Sequence, residues 1–172
     1  IWRESWAYDP SSATIGGVTI TSFLDQVPGT STKNVYYVAT DASTGAHIVT
    51  RALVCASAFN ARVAAIGTKF VIVYQKATGV YYRAIDATTP GTLAAEQTLD
   101  AAGTAFDAAY SSIADRLYVT WGNSTTVKIA YFDSSLTLSS ATTIETISTC
   151  TAIGLIIDKT GGNPVVAYAV NT

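Results

Sequence analysis

The chain has 172 residues, 49% of them hydrophobic and only 13% charged, and a net charge of −2, against about 25% charged residues in an average soluble chain. Its ten basic residues form no run, so it has no phosphate-binding face, which argues against nucleic acid and against an anionic membrane surface. No apolar stretch approaches the roughly 18 residues that a spanning helix needs, so membrane insertion is not expected.

The chain opens on Ile1, and Arg3 and Glu4 precede no apolar signal core; this reads as a processed start or an internal stretch. Trp2–Tyr8 reads as a first strand, Val18–Leu24 as a second, Val35–Asp41 as a third and Ala46–Leu53 as a fourth. The next group starts near Phe59 and continues through Phe70–Tyr74, Val80–Asp86 and Leu93–Leu99. A third group starts near Phe106, with Leu117–Trp121, Val127–Asp133 and Ser139–Ile147 behind it. The last starts near Ile153 and holds Pro164–Tyr168. These segments are rich in Val, Ile, Tyr, Phe and Thr, as strands are. Turn signals part them, among them Thr89-Pro90-Gly91, Gly122-Asn123 and Gly161-Gly162-Asn163-Pro164. The short spacing suits hairpins rather than crossovers, and no window shows helical periodicity with caps.

Laid on itself, the chain repeats. At a shift of 47, Phe70–Tyr74 falls on Leu117–Trp121 and then on Pro164–Tyr168, so Tyr74, Trp121 and Tyr168 are equivalent. Val80–Asp86 falls on Val127–Asp133 at 47, and Val35–Asp41 on Val80–Asp86 at 45. Phe59, Phe106 and Ile153 also stand 47 apart. A shift that changes only between segments is what loop insertions in a repeat produce. Four strands per unit of about 47 residues is the pattern of propeller blades.

The expected fold is therefore all-β: four-stranded antiparallel blades forming a partial β-propeller of about three and a half blades. The blades run 1–54 (divergent), 59–99 and 106–147, with half a blade at 151–172. One blade cannot bury both its faces, so neighbours must stack on it. Tyr74, Trp121 and Tyr168 are expected on equivalent second strands, all largely buried. An open fourth blade would expose strand edges, so residues 1–172 are not expected to be self-sufficient: further chain or a protein partner completes the propeller.

The apolar second strand ending in an aromatic, followed by a third strand ending in Asp, occurs as FVIVY…VYYRAID and LYVTW…VKIAYFD. This pattern resembles the broad β-propeller superfamily with sialidase-like or phage tail-type blades, over most of residues 34–170. The chain has no WD dipeptide signature, kelch double glycine or Asp-box, so the resemblance implies architecture only.

No catalytic, cofactor or metal constellation stands out. Asp41, Asp86 and Asp133 recur at one position; they are candidate metal or sugar ligands, but a position repeated in every blade reads first as the residue that opens the turn after the third strand. Tyr36, Tyr37, Tyr81, Tyr82 and Tyr131 are candidate stacking platforms for sugar or a partner, but aromatics in strands read first as packing across blade interfaces. His47, the single histidine, forms neither a triad nor a metal set. Among Glu4, Asp9, Asp25, Glu96, Asp100, Asp107, Asp115, Glu145, Asp158 and the turn aspartates, nothing in the sequence pairs two acids for glycoside cleavage. Cys55 and Cys150 match no metal or redox spacing, and at nearly equivalent points two blades apart they are not expected to bridge. Asn123-Ser124-Thr125 fits a glycosylation acceptor in an accessible loop.

The low charge, the Thr/Ser/Ala-rich composition and the lack of a catalytic set point to a non-enzymatic structural or attachment module. Such a module would belong to a large extracellular or virion assembly, tail or fibre-like, and would use no cofactor. The alternatives are a carbohydrate-binding, lectin-like propeller, or the non-catalytic part of a sialidase-like glycoside hydrolase.

Overall fold

A computed structural model describes residues 7–170. Strands β1 (Ala7–Ile15), β2 (Val18–Gln26), β3 (Lys33–Asp41) and β4 (His47–Cys55) form the first sheet, in that order. The second is β5 (Ala58–Ile66), β6 (Lys69–Lys76), β7 (Gly79–Asp86) and β8 (Gln97–Asp100). The third is β9 (Ala105–Ser111), β10 (Arg116–Gly122), β11 (Thr126–Phe132) and β12 (Thr142–Thr146). Strands β13 (Cys150–Ile157) and β14 (Pro164–Val170) pair by themselves. All neighbours are antiparallel. The described residues contain no helix, and so none long and apolar enough to cross a membrane. The fold is a partial propeller: three four-stranded blades and two strands of a fourth.

Strand β6 shows why the blades stack. Side chains alternate across a strand. Phe70, Ile72 and Tyr74 therefore enter the cluster with Ile20, Leu24, Val35 and Tyr37 of the first blade. Val71 and Val73, between them, enter the cluster with Phe106, Leu117, Val119 and Trp121 of the third. All five β6 side chains are 0% exposed, and burying an aliphatic or aromatic side chain of this size contributes roughly 1.5–3 kcal/mol. A strand with five consecutive apolar residues, as at Phe70–Tyr74, is thus stable only between two blades.

The first strands lie side by side across blades. The Ser11 hydroxyl of β1 accepts from the Val63 amide of β5 at 3.1 Å, and Asp107 of β9 accepts from the Leu155 amide of β13 at 2.9 Å. The first strands therefore line the propeller's inner side and the fourth strands its rim. Strand β12 is exposed at every position and β4 at most.

Several expected details change. Most of Trp2–Tyr8 lies outside the described residues, and the first strand is β1, with a bulge between Tyr8 and Ser11. Phe59 is not equivalent to Phe106. Strands β5 and β6 turn tightly, with Ile66 opposite Lys69 and Gly67 at φ +54°, whereas the β9–β10 hairpin closes at Ser111 and Arg116. The shorter turn sets Ala61 opposite Tyr74, where Phe106 faces Trp121 and Ile153 faces Tyr168. Phe59 falls at the β5 bulge and is 58% exposed. The fourth strands of blades two and three are shorter than Leu93–Leu99 and Ser139–Ile147. Leu93 and Leu138 make only single bridges, to Ile85 and Phe132, and short edge strands leave less backbone open to stray pairing.

Tyr74, Trp121 and Tyr168 do occupy equivalent second-strand positions, but only two are buried: 0% and 2% exposed, against 38% for Tyr168. Each buried ring also has an acid for its polar atom. Tyr74 donates to Glu96 at 2.6 Å and Trp121 to Asp100 at 2.9 Å. Burial pushes the Glu96 carboxyl up, but hydrogen bonds from Lys76 and Tyr74 outweigh this and hold it below its ordinary value. No described strand pairs with the outer side of β14, which leaves Tyr168 half covered.

Tyr74→Ala and Trp121→Ala should each destabilise the protein by about 3–5 kcal/mol, and Tyr168→Ala by less than about 1 kcal/mol. Urea denaturation of the three variants measures the difference. Equal losses at all three positions would contradict the half-covered state of the fourth blade.

Candidate functional site

One register position on the inner strands carries the polar centre of the chain. Ser11 pairs with Ser22, Arg62 with Val73, Asp107 with Thr120 and Gly154 with Ala167. Each of Ser11, Arg62, Asp107 and Gly154 is therefore the same residue of successive first strands. Arg62 bridges three blades. Its Nη1 donates to Asp9 Oδ2 at 2.7 Å and to Asn60 Oδ1 at 3.2 Å, and its Nε lies 3.7 Å from Asp107 Oδ1. Asp107 is fixed further by the amides of Ala108 on Oδ1 and Leu155 on Oδ2, both at 2.9 Å. At Gly154 an added Cβ would meet no atom within 4 Å, so this level of the inner side is open beside Asp107.

Asp9 is the least covered member, its side chain 43% exposed against 33% for Arg62 and 25% for Asp107. It has φ +49° at the β1 bulge, just before Pro10. Asp tolerates the left-handed region better than most residues, yet the conformation still costs on the order of 1 kcal/mol. Strain of this kind persists where the surrounding structure holds it, and here it sets a carboxylate against Arg62.

The residues singled out in the sequence lie elsewhere. Asp41 Oδ1 accepts from the Ser43 hydroxyl and amide at 2.6 and 2.9 Å and from the Thr44 amide and hydroxyl at 2.8 and 3.0 Å. These bonds hold its carboxyl down at about 2. Asp86 accepts from Lys69 and Thr88, which hold it far below the usual range. Asp133, just past β11, accepts from the Ser135 and Thr137 amides. Each carboxylate is used up in its own turn, and no acidic, histidine or cysteine cluster suited to a metal occurs among the described residues.

Each of the tyrosines singled out has a packing partner, and only Tyr37 among them is fully buried. Tyr37 is fully buried and donates to the Pro90 carbonyl. Tyr36 stacks on Phe23 beneath Arg51, Tyr81 stacks on Tyr74, Tyr82 meets Phe132 across blades, and Tyr131 lies beneath Arg116. His47 is exposed at the start of β4. Cys55 and Cys150 are free and buried, and burial pushes both thiols up. The expected accessible Asn123 is instead 8% exposed. Its Oδ1 accepts from the Thr125 and Thr126 amides, which ties the side chain into its own turn.

No family model matches the chain, and no curated protein does. Solved structures do share its fold. The catalytic domain of a Coprinopsis cinerea GH62 α-L-arabinofuranosidase aligns with a TM-score of 0.51 at 11% identity, covering 86% of this chain and 53% of that one. A Xanthomonas citri GH43_1 enzyme complexed with xylotriose aligns with a TM-score of 0.55 at 11% identity, covering 95% and 59%. A second structure of the Xanthomonas citri GH43_1 enzyme aligns at 0.54, with 10% identity and coverage of 93% and 59%. The chain spans between half and three fifths of the length of these proteins, and the likeness at this identity is one of fold. It overturns the expected non-enzymatic attachment module: the matching folds belong to carbohydrate-active enzymes, and the composition that suggested a scaffold is compatible with such a fold.

The turn aspartates predict a defined pH response. The folded value of Asp41 is about 2, below the ~3.9 of a free Asp. A lowered folded value means stability that is present above pH ~4 and lost as pH falls towards 2. Asp41→Asn should therefore lie below wild type in thermal stability at pH 5, and the gap should close between about pH 4 and pH 2. A gap independent of pH over that window would assign the effect to turn packing instead.

Proposed function

We propose that the chain is part of a glycan-cleaving propeller enzyme, with Asp9, Arg62 and Asp107 forming its polar centre. The observation that carries this reading is that carboxylates from blades one and three meet one guanidinium from blade two on the inner side. A single guanidinium reaching both keeps them within the roughly 5–10 Å over which paired carboxylates cleave a glycosidic bond. Asp107 has both oxygens engaged by fixed amides, so it holds its position. Asp9, more exposed, is the carboxylate available to a substrate. Arg62 orients both, and the open space at Gly154 leaves room for a sugar ring beside Asp107.

By their names, the proteins that share the fold include an arabinofuranosidase and an enzyme holding xylotriose. Pentose-containing glycans are therefore the substrate class to test first. A second reading, glycan binding without cleavage, is favoured by the ion pair that engages Asp9 through Arg62.

The experiment uses the whole protein with aryl arabinofuranosides, aryl xylosides and arabinoxylan, and follows sugar release. Asp9→Asn should lower the rate by about 100-fold or more with melting temperature unchanged, and Asp107→Asn should lower it as much while also lowering the melting temperature, because one of its two amide-bonded oxygens is lost. Binding of xylo-oligosaccharides in calorimetry with no release by wild type would select the second reading. Neither release nor binding would remove both.

A further inference from the structure

Phe59 is the most exposed aromatic ring among the described residues, at 58%, and the chain around it is firmly held. Ala58 stands opposite Lys76 and Asn60 opposite Gln75, so Phe59 is the extra residue of the β5 bulge. On one side Ala58 is buried in the core shared with blade one. On the other, Asn60 Oδ1 accepts from Arg62 Nη1 at 3.2 Å. Ser57, just before, has φ +58°, and its amide donates to Asn34 Oδ1 of blade one at 3.1 Å. A bulge re-aims a side chain, and this one, fixed at both ends, leaves a large apolar ring in water.

The ring stands beside the polar centre. Asp9, Asn60 and Asp107 are each the third residue of their strands β1, β5 and β9. Arg62 bonds Asp9 and Asn60 and lies near Asp107. Phe59 directly precedes Asn60, at the end of the inner side where these strands begin. Gln75, opposite Asn60, brings a second amide to the same level, and its Nε2 donates to the Thr104 carbonyl at 2.6 Å. With Asn60 engaged through Oδ1 and Gln75 through Nε2, one amide offers a donor and the other an acceptor. A flat ring next to such a pair suits a sugar unit. The C–H groups of the sugar rest on the negative face of the aromatic ring, and its hydroxyls, which both donate and accept, take the amides.

We propose that Phe59, with Asn60 and Gln75, holds a second sugar unit of a glycan chain, next to the unit whose bond the carboxylates would cleave. This rests on the glycan reading above and deepens it: the substrate is a chain or a branched glycan rather than a single sugar. The ring precedes the charged groups in the chain and lies mostly in solvent, so a unit stacked on it sits beside the reacting bond and not at it. Phe59 is therefore a specificity residue, not a catalytic one.

The test uses the whole chain and measures xylotriose binding by calorimetry and the kinetics of sugar release from arabinoxylan. Phe59→Ala should weaken xylotriose binding and raise KM for arabinoxylan, each by about tenfold. Its kcat and melting temperature should match wild type, since the side chain is exposed and touches no reacting atom. Phe59→Trp should keep wild-type binding and KM, and Phe59→Leu should not. Phe59→Ala behaving as wild type in both measurements would overturn this proposal and leave the glycan reading standing. A fall in kcat with KM unchanged would place the ring at the reacting bond and overturn it too, and so would full recovery by Phe59→Leu, which needs no aromatic face. Where wild type binds xylotriose without release, the calorimetric comparison decides. A wild type that neither binds nor releases sugar removes the glycan reading, and this proposal with it.

Discussion

A four-stranded blade in this chain has two faces to cover and no helices to cover them. Each blade therefore takes its core from its neighbours. Strand β6 is the clearest instance: Phe70, Ile72 and Tyr74 belong to one core and Val71 and Val73 to another, and the strand itself is the wall between them. Cores shared in this way make stability a nearest-neighbour property, as in other repeat proteins. They also explain the gradient along the arc. Blade two, packed on both faces, holds the most deeply buried residues, whereas β14 is exposed at nearly every position.

The inner side follows different rules. At one level the neighbouring first strands carry Ser11, Arg62, Asp107 and Gly154. Charge is tolerated there because each group has a partner on the next strand. Ser11 bonds Val63, Arg62 reaches Asp9 and Asp107, and Asp107 bonds Leu155. The ties that hold blade to blade thus also hold two carboxylates near one another. Structural cohesion and candidate chemistry are consequently not separable by deleting Arg62, and the two acids are the more informative positions to vary.

The second and third strands were readable from the chain because their spacing hardly varies and their side chains are nearly all apolar or aromatic. The first strands were not. The two-residue turn at Gly67 and Thr68 moves the true register by two, so Phe59 matched Phe106 by composition while Ala61 was its structural counterpart. That slip hid the site as well: once Ala61 is set on Phe106, Arg62 falls on Asp107. Asp9 carried its own signal, an acid before proline at the start of a strand, but nothing local said that it faced Arg62, 53 positions away. The repeated aspartates misled for the opposite reason. Their regularity reflects a turn that every blade must make.

The two ends of the arc differ in chemistry. On the outer face of blade one, Thr19 and Thr21 stand where blade two has Phe70 and Ile72, and their hydroxyls bond Thr14 and Ser12 at 2.9 and 2.8 Å. On the outer face of blade four stand Ile156, 66% exposed, and Val165, 49% exposed, paired across the two strands. Face-to-face stacking of the kind that joins blades one to three sets apolar on apolar. One step further on the same face of blade one, Phe23 stands where blade two has Tyr74 and stacks on Tyr36. That face therefore mixes hydroxyl pairs with an aromatic pair, and covering it would recover less of the roughly 25 cal/mol per Å² that apolar burial provides than covering the wholly apolar Phe70, Ile72 and Tyr74 face of blade two does.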